Sequence, residues 1–138
     1  MLIHAPSATR LLVVFLAGLA FVSCKSNAER AATTTAQQWL TLNDAGDYTR
    51  SWGDAAPYLQ RATTAAQWEA SMNRMRKPLG KVLTRTVTTA KATTCALNDP
   101  CVVVETNAAF EHEQSARETI SVMPGSDGQW RVAGYFIQ

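Results

Sequence analysis

Several residue types and patterns are scarce in this chain of 138 residues, and each shortage excludes a class of function. Cysteine occurs three times and histidine twice. Basic residues number 13 and acidic residues 11, so no concentrated positive charge favours binding to nucleic acid. The apolar run at residues 11–22 is shorter than the roughly 20 residues that a transmembrane helix needs. The composition therefore disfavours a nucleic-acid partner and a permanent membrane span.

Residues suited to catalysis are also few. His112 is the single histidine after the first 23 residues, and it stands between two glutamates in a predicted hairpin turn. A Ser-His-Asp site needs a histidine beside a pocket, and a solvated turn does not provide one. Asp44, Asp47 and Asp54 crowd the link between the first two predicted helices, but turn chemistry and helix capping account for Asp44 and Asp47. We predict no catalytic residue, no metal site and no cofactor.

The first 23 residues have the organisation of a secretory signal peptide. Arg10 precedes the apolar run at 11–22, and the small residue Ser23 follows it. Residues 21–24 (Phe-Val-Ser-Cys) resemble the lipobox of bacterial lipoproteins, although Phe21 stands where leucine is usual. The resemblance implies that Cys24 is lipidated and becomes the first mature residue. A plain secretory signal cut after Ala20, or an uncleaved anchor, are the alternatives.

The predicted anchor sets the expected location and the domain boundaries. By the same resemblance, Lys25 stands where aspartate would retain a lipoprotein in the inner membrane, so the expected location is the periplasmic face of the outer membrane. More than one lipid chain is needed for stable anchoring, and the resemblance implies a diacylglycerol and an N-acyl chain. We assign residues 1–23 to the signal peptide, 24–28 to a lipidated tether and 29–138 to a single domain.

Lipidation of Cys24 would leave Cys95 and Cys101 as a pair. In an oxidising compartment such a pair predicts a disulfide, and the intervening residues are turn formers that suit the mouth of a hairpin. The loop-entropy relation gives a bridge this short about 2 kcal/mol. Free thiols or a redox or metal role are alternatives, but C-x₅-C lacks the thioredoxin-like spacing and two cysteines without a histidine do not complete a zinc site.

Helical patterns precede strand patterns along the chain. An apolar stripe over residues 31–42 predicts a first helix, Asp47 caps a short second helix that Pro57 interrupts, and a capping box at Thr64 and Gln67 opens a third. Strands are predicted at 82–91, 101–110, 119–123 and 129–138, separated by turn signals. The order predicts an α+β fold in which N-terminal helices pack on a four-stranded antiparallel meander.

Three sequence phrases support a family resemblance. They are WLxLxDAGDYxxSW at 39–52, RKPLGKVxxR at 76–85, and ETISV at 118–122 followed by GxWRVAGYFI at 128–137. Together they resemble the bacterial family catalogued as domain of unknown function 4019, over nearly the whole mature chain. The resemblance implies a small exported protein without an assigned activity. The helix-then-meander order also resembles cystatin-like and nuclear-transport-factor-2-like architectures. The cysteine pair departs from the family pattern, which makes it a local addition.

Arg85 and Glu118 are the candidate site residues on the strands. Alternation places Arg85 on the face of Leu83 and Val87, while Glu118 shares a face with Ile120. If both faces turn inward, the two form a buried ion pair that fixes strand register. Two other interpretations remain open, namely solvated edge residues, or a ligand contact in which Arg85 holds an anion at the mouth of a pocket.

Two further groups of residues have a structural interpretation and a functional alternative. Trp39, Trp52 and Trp68 lie on the apolar stripes of successive helices and Trp130 opens the last strand, which favours core packing over a ligand-stacking platform. A basic cluster, comprising Arg74, Arg76, Lys77 and Lys81, ends the third helix. Interaction with that helix's C-terminal dipole explains it, and contact with anionic lipid or an acidic partner is the alternative.

The combined interpretation is an exported envelope lipoprotein whose domain binds an envelope protein or a small ligand without catalysing a reaction. The alternative is a small-molecule enzyme with a pocket between the helices and the sheet, using Asp44, Asp54 or Arg85. A deep cavity lined by a perturbed carboxylate would favour the enzyme. A filled core with an exposed apolar patch would favour the binding domain.

Overall fold

The computed structural model describes residues 25–138, so the predicted signal peptide and the lipidation site Cys24 lie outside the described residues. The helices are α1 (Asn27–Asp44), α2 (Tyr48–Gly53), α3 (Pro57–Ala62) and α4 (Ala65–Arg76). The strands are β1 (Val82–Thr94), β2 (Pro100–Phe110), β3 (Ala116–Pro124) and β4 (Trp130–Ile137). They form one antiparallel sheet in the order β1-β2-β3-β4, which confirms the predicted α+β meander. Within residues 25–138, none of the helices combines the length and the apolar character that a membrane crossing requires.

Helix α1 begins earlier than the sequence pattern indicates. Ser26 is its N-cap: the Ser26 hydroxyl accepts a hydrogen bond from the Glu29 amide, and the Glu29 carboxylate accepts one from the Ser26 amide. This capping box satisfies two amide groups that a helix start leaves without partners. Asn27 and Ala28, which the sequence analysis placed in the tether at 24–28, are therefore part of the first helix.

The predicted second helix ends before Pro57, as expected, and Pro57 begins a further helix, α3, that was not predicted. It stands at the first position of α3, where proline's missing amide costs no hydrogen bond and its fixed φ suits the helix. The predicted second helix therefore corresponds to α2, and the predicted third helix to α4. The capping box of Thr64 and Gln67 at the start of α4 is confirmed.

The core lies between the helices and one face of the sheet. Residues of β2 and β3 alternate between buried and less buried positions, as expected for strands with one covered face. From the helices, the buried apolar residues in this core are Ala32, Ala36, Trp39, Leu40, Leu59, Trp68 and Met72. From the strands they are Val102, Val104, Ile120, Val122 and Val132.

Three indole groups are held within this packed region. Trp39 Nε1 donates to the carbonyl oxygen of Ser51 at 2.8 Å, and Trp68 Nε1 donates to the Ser51 hydroxyl at 3.0 Å. Trp52 Nε1 donates to the Thr63 carbonyl at 2.9 Å. The rings of Trp39 and Trp68 lie 5.8 Å apart between centroids. Because these tryptophans are packed and satisfied, they support the core interpretation.

A bulge in β1 changes the predicted facing of one residue. Val82 pairs with Phe110 and Thr84 with Ala109, so Leu83 has no partner of its own in β2. The bulge reverses the alternation, and Leu83 is 58% exposed while Arg85 points inward. The prediction that Arg85 and Leu83 share a face was therefore wrong.

Candidate functional site

Arg85 and Glu118 meet on the covered face of the sheet. They belong to β1 and β3, which flank β2, and Glu118 is directly opposite Thr106 of that central strand. Arg85 Nε donates to Glu118 Oε2 at 2.5 Å, and Arg85 Nη2 donates to Glu118 Oε1 at 3.0 Å. The Glu118 side chain is fully buried, and that of Arg85 is 14% exposed. The two candidate residues thus form a close, two-pronged ion pair.

Two residues from helix ends complete the charge network. Asp44 ends α1 and Arg76 ends α4, and Arg76 Nη2 donates to Asp44 Oδ1. Arg85 donates to both Asp44 oxygens, at 2.6 and 2.9 Å. Arg76 Nη1 also donates to Glu118 Oε1 at 3.2 Å, and the Arg76 guanidinium lies 5.0 Å from the centre of the Phe110 ring. The network thereby joins two helices to two strands.

Neutral hydroxyl groups donate the remaining hydrogen bonds that the Glu118 carboxylate accepts. Thr106 Oγ1 donates to Glu118 Oε2 at 2.8 Å, and the Tyr135 hydroxyl of β4 donates to Glu118 Oε1 at 2.9 Å. The Tyr135 hydroxyl also accepts from Arg76 Nη1 at 3.0 Å. Each carboxylate oxygen of Glu118 therefore has at least two donors, as a buried charge requires. We call Asp44, Arg76, Arg85, Thr106, Glu118 and Tyr135 the charge network.

The charged states within this network reinforce one another. Burial alone would raise the pKa of Asp44, but hydrogen bonds from Arg85 and Arg76 outweigh it and lower that pKa. Burial opposes the charged form of Arg85, yet Asp44 and Glu118 raise its pKa above the ordinary value. Burial, followed by the charge of Glu118, raises the pKa of Tyr135. These directions keep Asp44 anionic, Arg85 cationic and Tyr135 a neutral phenol at neutral pH.

This arrangement suits a structural role, holding the helices against the sheet, better than anion binding or catalysis. Nε, Nη1 and Nη2 of Arg85 all donate to carboxylates within the network, so little donor capacity remains for the anion-holding role considered for this residue. The Asp44 carboxylate accepts from two guanidinium groups, which disfavours its acting as a base. The geometry accordingly matches the buried ion pair considered for Arg85 and Glu118, extended to four charges.

Sequence reasoning missed Asp44 and Arg76 as members of the network. Arg76 was grouped in the basic cluster attributed to the C-terminal dipole of its helix, but it is 5% exposed and paired, whereas Arg74 and Lys77 are exposed. A signal was present: Trp68, Met72 and Arg76 follow one another at intervals of four residues, on one helix face. Asp44 likewise lies four residues after the buried Leu40. Turn chemistry alone therefore does not explain Asp44.

The three aspartates suggested as an enzymatic group have separate roles. Asp47 caps α2 by accepting from the Arg50 amide at 3.2 Å, and Asp54 forms an exposed ion pair with Arg50 at 3.5 Å. His112 is exposed, and its backbone amide donates to the Leu79 carbonyl. Among residues 25–138, no three His, Cys, Asp or Glu side chains are grouped so that they could hold a metal ion.

Cys95 and Cys101 are joined by a disulfide where β1 leads into β2. Their Cα atoms are 5.7 Å apart, and Cys101 is buried while the connecting residues form a short 3₁₀ turn. The Cys95 amide donates to the Asp99 carbonyl at 2.9 Å, which closes the same turn. The bridge lies at one end of the sheet, away from the charge network, and suits a structural crosslink.

Clefts lie at the margins of the described structure. One of about 640 Å³ lies on the sheet beside the β2–β3 turn and is lined by Thr84, Thr86, Asn107, Ser115 and Arg117, among others. Another of about 600 Å³ lies between α1, α2 and β4 and includes Leu42, Arg50, Asp54, Trp130 and Arg131. A third of about 220 Å³ adjoins the charge network at Asp44 and Arg76.

Comparisons with known proteins relate this chain to a family and to two solved structures of similar fold. The family described as "Protein of unknown function (DUF4019)" matches residues 35–135. No curated protein matches the chain. A solved structure from Catenulispora acidiphila is 10% identical with a TM-score of 0.55, and the match covers 79% of this chain and 88% of that one. The structure of ActVI-ORFA from Streptomyces coelicolor is 8% identical with a TM-score of 0.54, covering 82% and 97%. At these identities the two structures show a shared fold alone.

Proposed function

Because the chain belongs to the DUF4019 family, whose description assigns no activity, we propose its function from its own residues. The proposal is an exported envelope lipoprotein, held by lipid at Cys24 on the periplasmic face of the outer membrane. Its domain binds an envelope protein or a small ligand and does not catalyse a reaction.

The packed interior is the observation that carries the binding role. In the alternative, an enzyme would use a pocket between the helices and the sheet. The rings of Trp39, Trp68 and Tyr135 occupy that space together with the charge network. The centroid of the Trp39 ring lies 5.8 Å from that of Trp68 and 5.5 Å from that of Tyr135. The carboxylates of Asp44 and Glu118 are already neutralised by guanidinium groups. A binding role at the surface fits this filled interior better than chemistry inside it.

The leader and the cysteines support export. A charged start, an apolar run at 11–22 and a small residue before Cys24 are typical of a signal peptide with a lipobox. A disulfide between Cys95 and Cys101 is the state favoured in an oxidising compartment such as the periplasm. Two independent features of the chain thus favour the same location.

The start of α1 implies a short anchor. Only Lys25 and Ser26 separate Cys24 from α1, and each residue spans at most about 3.6 Å. Glu29 Oε1 also accepts from the Ala92 amide of β1 at 3.4 Å, so the disulfide end of the sheet lies near the same end of the helix. A lipid at Cys24 would therefore hold this end of the domain close to the membrane surface.

Intact-mass analysis of the membrane-extracted protein tests the proposal. We expect a mature chain that begins at acylated Cys24 and gains two hydrogen atoms on reduction of the Cys95–Cys101 bridge. The matched control is Cys24→Ser, which should abolish acylation and leave the bridge unchanged. An unacylated chain recovered in the soluble fraction from the wild type would contradict the anchored location and favour a diffusible protein.

A further inference from the structure

Trp130 differs from the other three tryptophans in the surroundings of its indole nitrogen. The Nε1 atoms of Trp39, Trp52 and Trp68 donate to oxygen atoms of the domain at 2.8, 2.9 and 3.0 Å. Trp130 Nε1 has no acceptor within residues 25–138, although its ring is partly buried against the core. Asn43 Oδ1 is the single buried side-chain polar atom of the described residues that lacks a hydrogen-bond partner, so Trp130 Nε1 is reached by solvent. This donor is therefore available to a ligand.

The same residue lines a cleft that is large enough for a ligand. The cleft lies between α1, α2 and β4, has a volume of about 600 Å³, and includes Leu42 and the buried Trp39 in its wall. This volume is within the range of small-molecule sites, which combine aromatic and aliphatic surface with a few polar groups. We call this space the Trp130 cleft.

The charges around the Trp130 cleft are balanced. Its ionised side chains are those of Arg50, Asp54 and Arg131. Arg50 pairs with Asp54 at 3.5 Å, and Arg131 pairs with Asp127 of the β3–β4 turn at 2.6 Å. Two cations and two anions leave no excess charge that would attract an anion or a cation. A neutral ligand is therefore favoured.

The other polar groups of the cleft are suited to hydroxyl partners. Thr35 and Gln38 line it from α1, and Gln129 lines it from the residue that precedes β4. Within residues 25–138, none of these three side chains forms a hydrogen bond, and none is a buried group without a partner. Their hydroxyl and amide groups can both donate and accept, as the hydroxyl groups of a sugar do.

We propose that the Trp130 cleft binds a neutral sugar of disaccharide size. The apolar C–H face of a pyranose ring packs on the Trp130 ring, and a sugar oxygen accepts from its Nε1. Thr35, Gln38 and Gln129 form hydrogen bonds with the sugar hydroxyls, and the Asp54 carboxylate accepts a further one. An acid or an amine would unbalance the charges, and a purely apolar molecule would leave these polar groups without partners. This inference specifies the ligand class of the proposed binding function and rests on it.

NMR titration of the mature full chain with diacetylchitobiose, a neutral disaccharide, tests this inference. The detergent should have no sugar headgroup, because such a headgroup would compete for the cleft. Each tryptophan gives one indole N–H resonance, and Trp52 and Trp68, which do not line the cleft, are internal controls. We expect the Trp130 resonance, identified by its loss in Trp130→Phe, to shift on addition of the sugar while the two control resonances stay unchanged.

Two further readings come from the same samples. Before the sugar is added, the Trp130 indole proton should exchange with water faster than those of Trp52 and Trp68. Because the ligand is neutral, its affinity should be the same at low and high NaCl. An unshifted Trp130 resonance, equal shifts in all three resonances, or a strong salt dependence of the affinity would overturn the assignment.

Variants separate the ring from its hydrogen bond. Trp130→Phe keeps an aromatic ring without the donor and should weaken binding about two- to tenfold, the range of one neutral hydrogen bond. Trp130→Leu loses the ring as well and should weaken it further. Phe136→Leu, at an exposed position outside the cleft, is the matched control and should bind like the wild type.

An exposed position tests the site if the Trp130 variants fail to fold. The Asp54 side chain is 57% exposed, and Asp54→Ala removes the acceptor that it offers to the sugar. We expect weaker binding in this variant, and unchanged binding would overturn the proposed site. Failure here leaves the acylated mass at Cys24 unaffected, so the two proposals fail independently.

Discussion

Two arginine–aspartate pairs in this protein have nearly the same geometry and opposite surroundings. Arg85 binds both oxygens of Asp44 at 2.6 and 2.9 Å, and Arg131 binds both oxygens of Asp127 at 2.6 and 2.9 Å. The side chains of the first pair are 14% and 20% exposed, and those of the second 33% and 50%. The comparison shows that contact distances alone do not determine what a salt bridge contributes.

Desolvation explains the difference. The Arg131 pair connects residues four apart beside the β3–β4 turn, where water solvates either partner if the other is removed. The Arg85 pair is coupled to Glu118, which is fully buried and has no such alternative. Forming a buried pair need not stabilise a protein strongly, but breaking one leaves an uncompensated charge in the interior. The buried network therefore penalises any placement of α1 and α4 on the sheet that would separate its charges.

Removal of the Glu118 charge should have the largest effect. Glu118→Gln leaves the guanidinium groups of Arg76 and Arg85 with Asp44 as the single anion of the network. We expect the free energy of unfolding to fall by about 3–5 kcal/mol in urea titrations. The control Arg131→Gln breaks the exposed pair and should leave the unfolding midpoint within experimental error. Similar losses in the two variants would contradict the distinction between the two sites.

The sequence offers one half of this network, the Arg85–Glu118 pair, as one of three interpretations and misses the other half for a physical reason. Alternation with Val87 and with Ile120 places Arg85 and Glu118 on inward faces, because side-chain direction in a strand depends on local period. The bulge breaks the alternation between Arg85 and Leu83. Asp44 and Arg76 stand at helix ends, where capping and dipole effects offer a local explanation for any charged residue. Whether they reach Arg85 and Glu118 depends on how α1 and α4 approach the sheet, which no local pattern specifies.

The same reasoning applies to the fold. The four strands and their order follow from period, turn residues and short connections, and the structure has them as predicted. The bulge at Leu83 was not predicted because it depends on the register with β2. The unpartnered oxygen of Asn43 was also beyond sequence reasoning. Its position on the helical stripe indicated burial, but not which of its polar atoms would be satisfied.

Acid titration should distinguish Asp44 from Asp127, with a smaller effect on stability than removal of the Glu118 charge. Arginine neighbours lower the pKa of both Asp44 and Asp127 relative to the unfolded chain. A lowered folded-state pKa contributes stability above the unfolded value of 3.8 that is lost as pH falls through the folded value. Solvent screening limits this contribution at the exposed Asp127. We therefore expect the free energy of unfolding to decrease below about pH 4, chiefly through Asp44.

Matched asparagine variants measure this contribution. Asp44→Asn should lower the free energy of unfolding by about 1.5–3 kcal/mol at pH 7, the range for hydrogen bonds to a charged group. It should also make that free energy less dependent on pH below about pH 4. Asp127→Asn should leave the pH dependence of the free energy of unfolding close to that of the wild type. The interpretation would be wrong if Asp127→Asn flattened the acid profile more than Asp44→Asn.

Salt should produce the smallest effect and sharpen the comparison further. At about 1 M salt the screening length is about 3 Å, so any residual attraction between the exposed Asp127 and Arg131 should disappear. The buried charges near Glu118 are shielded from mobile ions. The stability difference between wild type and Glu118→Gln should therefore be the same at low and high NaCl, whereas any difference for Arg131→Gln should vanish. Urea titrations of the three proteins at both salt concentrations provide the measurement. A large salt dependence of the Glu118→Gln difference would mean that water and ions reach the network, and the contrast between the two pairs would then be one of degree.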